Sequence, residues 1–331
     1  MLLLSHTDHP DLVNLLPEAG DRLRMNEPMS LHTTFRIGGC ADIYFEPESE
    51  AEILQAILYS QAHGMPCTVL GNGSNILVSD QGIRGLVLAF GEPDADIRCD
   101  GSRITARAGA KLAAVASFAA RNGLSGLEFA SGIPGTLGGA ILMNAGAYEA
   151  CMADVVIQTD YFNEQMEHRQ ARGDEHRFSY RSSYFLENSA IILGAVIQLT
   201  PGRTEDILLR MADLAARRRS SQPLELPSAG SVFKRPPGFY AGKLISECGL
   251  RGIRFGDAQV SEKHAGFIVN LGQAKARDVR SLMVHIQDRV AAETGVHLEP
   301  EIRMVGEWSG WSDRPAADSP AANPLAAAPS N

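Results

Sequence analysis

The sequence predicts a mixed chain of helices and short strands in more than one folding unit, and three observations carry that reading. Its 331 residues are 44% hydrophobic, enough to bury a substantial core. Short β-like runs alternate with a few helical patterns that have recognisable start and stop signals. Between residues 202 and 225 the character changes, as a long helical pattern gives way to Pro223, Pro227 and a new glycine-containing loop.

Residues 1–25 read as a polar lead-in with one short helical candidate. The first clear helix opens with the capping box Ser49-x-x-Glu52, turns Ile53, Ile57 and Leu58 inward, and stops at Gly64. A strand of buried type follows at residues 67–70. A second helix spans about 111–121 and stops at Gly123. A third spans about 204–219, where Thr204 is the expected cap and Glu205 and Asp206 suit the positive end of the helix dipole. Arg217, Arg218 and Arg219 suit its negative end, so this charge run needs no ligand to explain it. Beyond the prolines, residues 266–270 read as a strand. A helix near 276–293 turns Val279, Leu282, Met283, Ile286 and Val290 inward. The Ala- and Pro-rich stretch 312–331 reads as disordered or as a linker.

Composition excludes several classes of function. Thirty Lys and Arg against 39 Asp and Glu leave a formal charge of −9, so nothing draws the chain to nucleic acid. The longest apolar runs, such as 190–199, fall well short of the roughly 20 residues that a bilayer helix needs, so no membrane insertion is expected. The opening apolar stretch ends after four residues without a basic region, which argues against an export signal and for the cytoplasm. Cys40, Cys67, Cys99, Cys151 and Cys248 are scattered and form no C-x-x-C pair. They read as reduced structural thiols, and no metal site is expected.

Two glycine-rich loops carry most of the binding signal. Gly71-Asn72-Gly73-Ser74-Asn75 directly follows the 67–70 strand, and glycine there lets backbone N–H groups approach an anion. Ile76 stands where a G-x-G-x-x-G fingerprint needs its third glycine, and no G-x-x-x-x-G-K-[ST] exists, so neither a Rossmann turn nor a P-loop is present. The second loop, Gly132-Ile133-Pro134-Gly135-Thr136-Leu137-Gly138-Gly139, is followed by Asn144 and Gly146. Tight turns between strands would explain either loop alone. Two loops of this kind in one domain are better explained as two banks of one phosphate cradle, and a pyrophosphate between them suggests a dinucleotide. The patch His32-Thr33-Thr34-Phe35-Arg36-Ile37-Gly38-Gly39 would suit a turn against the same ligand, or a surface turn.

These segments, with Met143-Asn-Ala-Gly-Ala-Tyr148, Tyr180-Arg-Ser-Ser183, Gly230-Ser-Val-Phe-Lys234 and Leu298-Glu-Pro-Glu-Ile-Arg303, closely resemble the UDP-N-acetylenolpyruvoylglucosamine reductases over roughly residues 24–307. The resemblance implies an α+β fold. A two-lobed FAD-binding domain of the vanillyl-alcohol-oxidase type would occupy 26–202 and a smaller α+β substrate-binding domain 203–307, with 1–25 as lead-in and 308–331 as tail. It implies FAD and NADPH as cofactors, a UDP-sugar as the small-molecule partner, and FAD contacts from the two glycine loops together with Asn144 and Gly146. The implied reaction moves hydride from NADPH through FAD to UDP-N-acetylglucosamine enolpyruvate, giving UDP-N-acetylmuramate for bacterial peptidoglycan.

Three positions match the family's catalytic residues: Arg181, Ser231 and Glu301. Hydride added to the vinyl β-carbon leaves negative charge on the α-carbon and its carboxylate. The site therefore needs a cation or acid at that carboxylate and a proton donor at the carbon. Arg181 can grip the carboxylate bidentately, Glu301, if protonated, can share the stabilisation, and Ser231 can deliver the proton. Glu299 shares no role, because Pro300 makes regular pairing of that segment doubtful.

The family's longer form carries an extra lobe after the Tyr-Arg motif. Here a strand-like run begins at Ala190, so the shorter, second type is expected. Arg235 stands where the longer form commonly has Asn, and His264 where that form has a substrate-contacting Gln. Each faces the UDP diphosphate or is a plain loop or strand-edge residue. Glu149 and Asp257 occupy places often held by glycine. A sugar or alcohol oxidase of the same fold, with FAD attached through His32, is the alternative, and the set Arg181, Ser231 and Glu301 argues against it. A non-enzymatic nucleotide-binding module explains neither Ser231 nor Glu301.

Overall fold

The computed structural model describes residues 10–308, so the tail expectation for 312–331 lies outside the described residues. In the first lobe, α1 (Pro10–Leu15) leads to β1 (Leu23–Pro28) and β2 (Cys40–Phe45), α2 (Glu50–Ala62) follows, and β3 (Cys67–Leu70), β4 (Ile76–Val78) and β5 (Ile83–Ala89) complete it. Four of these strands form a sheet in the order β1-β2-β5-β3, with β5 parallel to both β2 and β3. The turn from β3 to β4 is the first glycine loop.

The second lobe holds β6 (Ile97–Asp100), β7 (Arg103–Arg107), α3 (Leu112–Arg121), the short β8 (Leu124–Ser125), α4 (Leu137–Leu142) and the pair β9 (Gly146–Ala147) and β10 (Ala150–Cys151). Then come β11 (Val156–Phe162), β12 (His168–Arg172), α5 (Tyr184–Glu187), β13 (Ile191–Gln198) and β14 (Thr200–Pro201). Its antiparallel sheet runs β12-β11-β13-β7-β6. Only seven residues, four of them α5, separate Ser183 from β13, which leaves no room for an extra lobe.

Helix α6 (Thr204–Ser221) carries the chain into α7 (Ala241–Glu247), β15 (Arg254–Phe255), β16 (Ala258–Val260), β17 (Ile268–Asn270), α8 (Ala276–Thr294) and β18 (Arg303–Val305). The five apolar residues of α8 named from periodicity are all buried, and Gly295, at φ +72°, ends the helix in the left-handed conformation. Strand β18 leaves this domain and pairs parallel with β4 of the first lobe.

That return is one of several ties between the two parts. Phe35, Ile37 and Leu77 of the first lobe are built into the C-terminal core. The Asn270 side-chain amide donates to the Phe35 carbonyl at 3.1 Å, and Thr34 Oγ1 donates to the Ser228 carbonyl at 2.7 Å. The Asp80 carboxylate accepts the N–H groups of Ala276 (2.8 Å) and Arg277 (3.1 Å), capping α8 from the opposite domain.

Four local expectations are corrected. Leu58 is 48% exposed, because the buried residues of α2 are Ile53, Ala56, Ile57, Tyr59 and Ser60, and at about 100° per residue Leu58 falls on the opposite face. The β3 strand is an edge strand with Cys67 and Val69 exposed, not a buried one. Thr204 is the first helical residue of α6, its N-cap position is Arg203, and no side chain caps that end. Pro300 does not disrupt pairing. It lies opposite Phe233, where no N–H is needed, while Lys234 N–H bonds the Glu299 carbonyl and Glu301 N–H the Val232 carbonyl, both at 2.8 Å.

Candidate active site

Two clefts meet between the domains. The first, of about 770 Å³, is walled by the two glycine loops on one side and by α6 and the 226–231 segment on the other. The loops are joined to each other: the Asn72 amide donates to the Pro134 carbonyl at 2.8 Å, and a Cβ added to Gly71 would meet Thr136 Oγ1 at 2.2 Å. The two loops thus pack as one continuous wall, too close together to admit a side chain at Gly71. A long cleft lined by such backbone fits a dinucleotide such as FAD.

Of the residues expected to touch FAD, Gly71, Asn72, Gly73, Ser74, Asn75, Gly132, Ile133, Pro134, Gly135, Thr136, Gly139 and Gly146 line this cleft. Gly138 and Asn144 are not among its lining residues. Gly138 N–H is bonded to the Ala108 carbonyl at 2.9 Å, and a Cβ added there would meet the Ala108 Cβ at 3.0 Å. Asn144 is buried, with its amide donating to the Ser179 carbonyl and its oxygen accepting from Ala153 N–H, each at 3.0 Å.

Asn144 thereby steadies the turn that presents Arg181. Ser179 and Ser182 pair with each other across this turn, and Arg181 sits at its tip with φ +56°. A non-glycine residue held in the left-handed region is a strained position of the kind found at functional sites. The Arg181 guanidinium lies 5.0 Å from the Tyr180 ring and donates through Nε to the Glu301 carboxylate.

Ser231 and Glu301 come from adjacent strand-like segments. Ser231 is paired with Phe267, Val232 N–H bonds the Gly266 carbonyl at 2.9 Å, and the carbonyl of Val232 takes the N–H of Glu301. One extended segment therefore carries Ser231 and aligns Glu301 beside it. Arg181, Ser231 and Glu301 line both the first cleft and the second, so the three meet where the clefts join.

The second cleft, of about 590 Å³, is strongly cationic. Arg181, Arg235, Lys243, Arg251 and Lys263 line it, against two carboxylates, Glu247 and Glu301, and His264 lies among them. The His264 ring takes the Gly266 N–H on Nδ1 at 3.1 Å, and burial, with Arg251 nearby, pushes its pKa down. The ring is thus neutral with its proton on Nε2. The Arg235 guanidinium stacks on Tyr240, 3.9 Å from the ring centroid, and Arg235 N–H bonds the Tyr180 hydroxyl at 3.2 Å.

Sequence reasoning missed Arg218, which lines the first cleft and donates to the Gly132 carbonyl from α6; burial lowers its pKa. The triple-arginine run was its signal, and the helix dipole explained that run too readily. Thr34 and Arg36 line the first cleft as the 32–39 patch suggested. His32 does not. Its ring stacks on Tyr44 with centroids 4.2 Å apart and bonds Glu27 at 2.6 Å. No group of His, Cys, Asp and Glu able to hold a metal occurs among the described residues.

Comparison with known proteins agrees with this architecture. Residues 41–167 match the family model of an FAD binding domain, and residues 222–305 match that of the UDP-N-acetylenolpyruvoylglucosamine reductase C-terminal domain. The chain is 50% identical over 305 residues to the UDP-N-acetylenolpyruvoylglucosamine reductase of Agathobacter rectalis, covering 88% of this chain and 96% of that one. It is 48% identical over 286 residues to that of Caldanaerobacter subterraneus, covering 86% and 94%. The crystal structure of UDP-N-acetylenolpyruvylglucosamine reductase from Thermus caldophilus matches with a TM-score of 0.73 at 37% identity, over 86% of this chain and 98% of that one.

Proposed function

The chain belongs to the UDP-N-acetylenolpyruvoylglucosamine reductases, and from that premise we propose how its own residues carry the reaction. It is an FAD-dependent oxidoreductase that uses NADPH to reduce UDP-N-acetylglucosamine enolpyruvate to UDP-N-acetylmuramate in peptidoglycan synthesis. FAD, when bound, supplies the hydride that it has received from NADPH.

The loop residues Gly71, Asn72, Gly73, Ser74, Gly132, Ile133, Pro134, Gly135, Thr136, Gly139 and Gly146 would hold the flavin dinucleotide along the first cleft. The cationic second cleft takes the UDP moiety, with Arg235 and His264 at its diphosphate. The observation that carries the reading is that Arg181, Ser231 and Glu301 line both clefts, and so stand between donor and acceptor.

Arg181 has Nε on Glu301 and still has two terminal nitrogens, which can bind the enolpyruvyl carboxylate side by side. Charge building on that carboxylate as hydride reaches the β-carbon is stabilised in place, without solvent reorganisation. Glu301 orients the guanidinium. Ser231 delivers a proton to the α-carbon as general acid. No helix among the described residues is long and apolar enough to cross a membrane, and a cytoplasmic setting fits a reaction that consumes NADPH and a nucleotide sugar.

The test is spectral. NADPH should bleach the flavin absorbance, and the enolpyruvyl substrate should restore it without oxygen. Reoxidation by oxygen alone, with no response to the enolpyruvyl compound, would favour the oxidase reading instead. Denaturation should release FAD, since His32 is held by Glu27 and Tyr44 away from both clefts.

A further inference from the structure

The first glycine loop reaches the catalytic segment through its last residue. The Asn75 side-chain amide donates to the Glu301 carbonyl at 3.2 Å, and the Asn75 carbonyl accepts from Arg303 N–H at 3.0 Å. From Arg303 onward the same contact continues as the parallel pairing of β18 with β4, which begins with Arg303 opposite Ile76. On its other side Glu301 gives its N–H to Val232, next to Ser231. Both peptide groups of Glu301 are therefore tied, one to the segment that carries Ser231 and one to Asn75. Its carboxylate is left facing Arg181.

We propose that Asn75 is a positioning residue for Glu301, holding the Arg181–Glu301 pair at the junction of the clefts, and that its side chain is not a flavin contact. The inference rests on the roles given above to Arg181 and Glu301. Its physical content is registration. The loop that walls the flavin cleft is bonded directly to the residue whose carboxylate orients Arg181, so the hydride donor and the group that holds the acceptor share one frame. A misplacement of about 1 Å at such a site can cost roughly 100-fold in rate.

A double-mutant cycle on the FAD-loaded enzyme tests this, with flavin content, NADPH bleaching and anaerobic reoxidation by substrate measured separately for Asn75→Ala, Glu301→Ala and the double variant. Asn75→Ala should keep its flavin and its bleaching rate, while reoxidation slows by about 10-fold to 100-fold. In the Glu301→Ala background the same substitution should change little. Asn75→Gln, which keeps the donor, should recover part of the rate. If Glu301→Ala leaves reoxidation unchanged, the catalytic assignment itself fails. If Glu301→Ala slows it and Asn75→Ala does not, or if Asn75→Ala costs the same factor in both backgrounds, the positioning role fails while the assignment stands. Lost flavin or slowed bleaching in Asn75→Ala would put the side chain at the flavin and also overturn it. Should Asn75→Ala not fold, Asn75→Ser takes its place in the cycle.

Discussion

Ser231 and His264 face the same substrate with different duties, and their substitutions should separate cleanly. Ser231→Ala removes the proton donor and nothing that flavin reduction needs. Bleaching by NADPH should stay near wild type, and reoxidation by substrate should slow by roughly 10²–10⁴-fold, the contribution of a positioned acid. Equal slowing of both halves, read by rapid-mixing absorbance, would mean that Ser231 shapes the cleft instead. His264 keeps Nε2–H free as a neutral donor, because Nδ1 is occupied by Gly266 N–H. His264→Ala should raise KM for the UDP-sugar by about tenfold to a hundredfold, given roughly 1.5–3 kcal/mol for a hydrogen bond to a charged group, and leave bleaching alone. An unchanged KM would reduce His264 to a support for the Gly266 turn. Glu149 is a different case. It sits at φ +71° directly after Tyr148 at φ +53°, a place where glycine is at home. Glu149→Gly should relieve about 1 kcal/mol of strain, partly offset by chain entropy, and hold or raise Tm by about 1–3 °C. A clear fall in Tm would show that the Glu149 side chain contributes more than the strain costs.

Among the elements, the helices were the most legible, because a capping residue, a 3.6-residue apolar period and a terminal glycine are all local signals. Ser49 Oγ does accept Glu52 N–H at 3.2 Å, and α8 buries its predicted face. Where several local signals compete, reading fails. Leu58 was one residue off the buried face, and the arginines of α6 satisfied the helix dipole in principle while Arg218 was in fact drawn to Gly132. The start of α8 shows what no local pattern carries, since besides the local Asp278, which takes the Lys275 N–H, it is capped by Asp80, 196 residues earlier. Asp80→Ala leaves the Ala276 and Arg277 N–H groups without that acceptor, and should cost roughly 0.5–2 kcal/mol, the usual effect of losing a cap. Hydrogen exchange should quicken at the first turn of α8 and remain slow in β5. Unchanged exchange there would mean that the cap contributes nothing to holding the domains together.

The whole molecule carries a pH dependence from one buried and two half-buried histidines. Burial pushes the pKa values of His176, His264 and His285 below the ordinary imidazole range, and Arg251 and Arg289 add to this at His264 and His285. His176 is held neutral, donating from Nδ1 to the Gly173 carbonyl at 2.9 Å and accepting from the Thr159 hydroxyl on Nε2 at 3.0 Å. The unfolded chain binds protons at these groups from about pH 6.5 downward, before the folded one does. Stability should therefore be full above that value and fall as pH drops through the lowered folded pKa values. Urea midpoints should be lower at pH 5.5 than at pH 7.5, with a shallower slope in His176→Gln; an equal or higher midpoint at pH 5.5 would contradict this. At this scale the division of information is plain. The order of the family motifs, the glycine content of two loops and the periodicity of the helices were legible along the chain, and they sufficed for family, fold class and reaction. Which loop asparagine bonds which catalytic segment was not. Asn75 meets Glu301 across 226 positions, Asn144 meets Ser179 across 35, and Pro300 proves compatible with pairing once Phe233 lies opposite it. Backbone preference and amphipathic period act between near neighbours in sequence. The partners of a polar group are chosen only when packing brings distant segments within hydrogen-bond reach, about 3 Å.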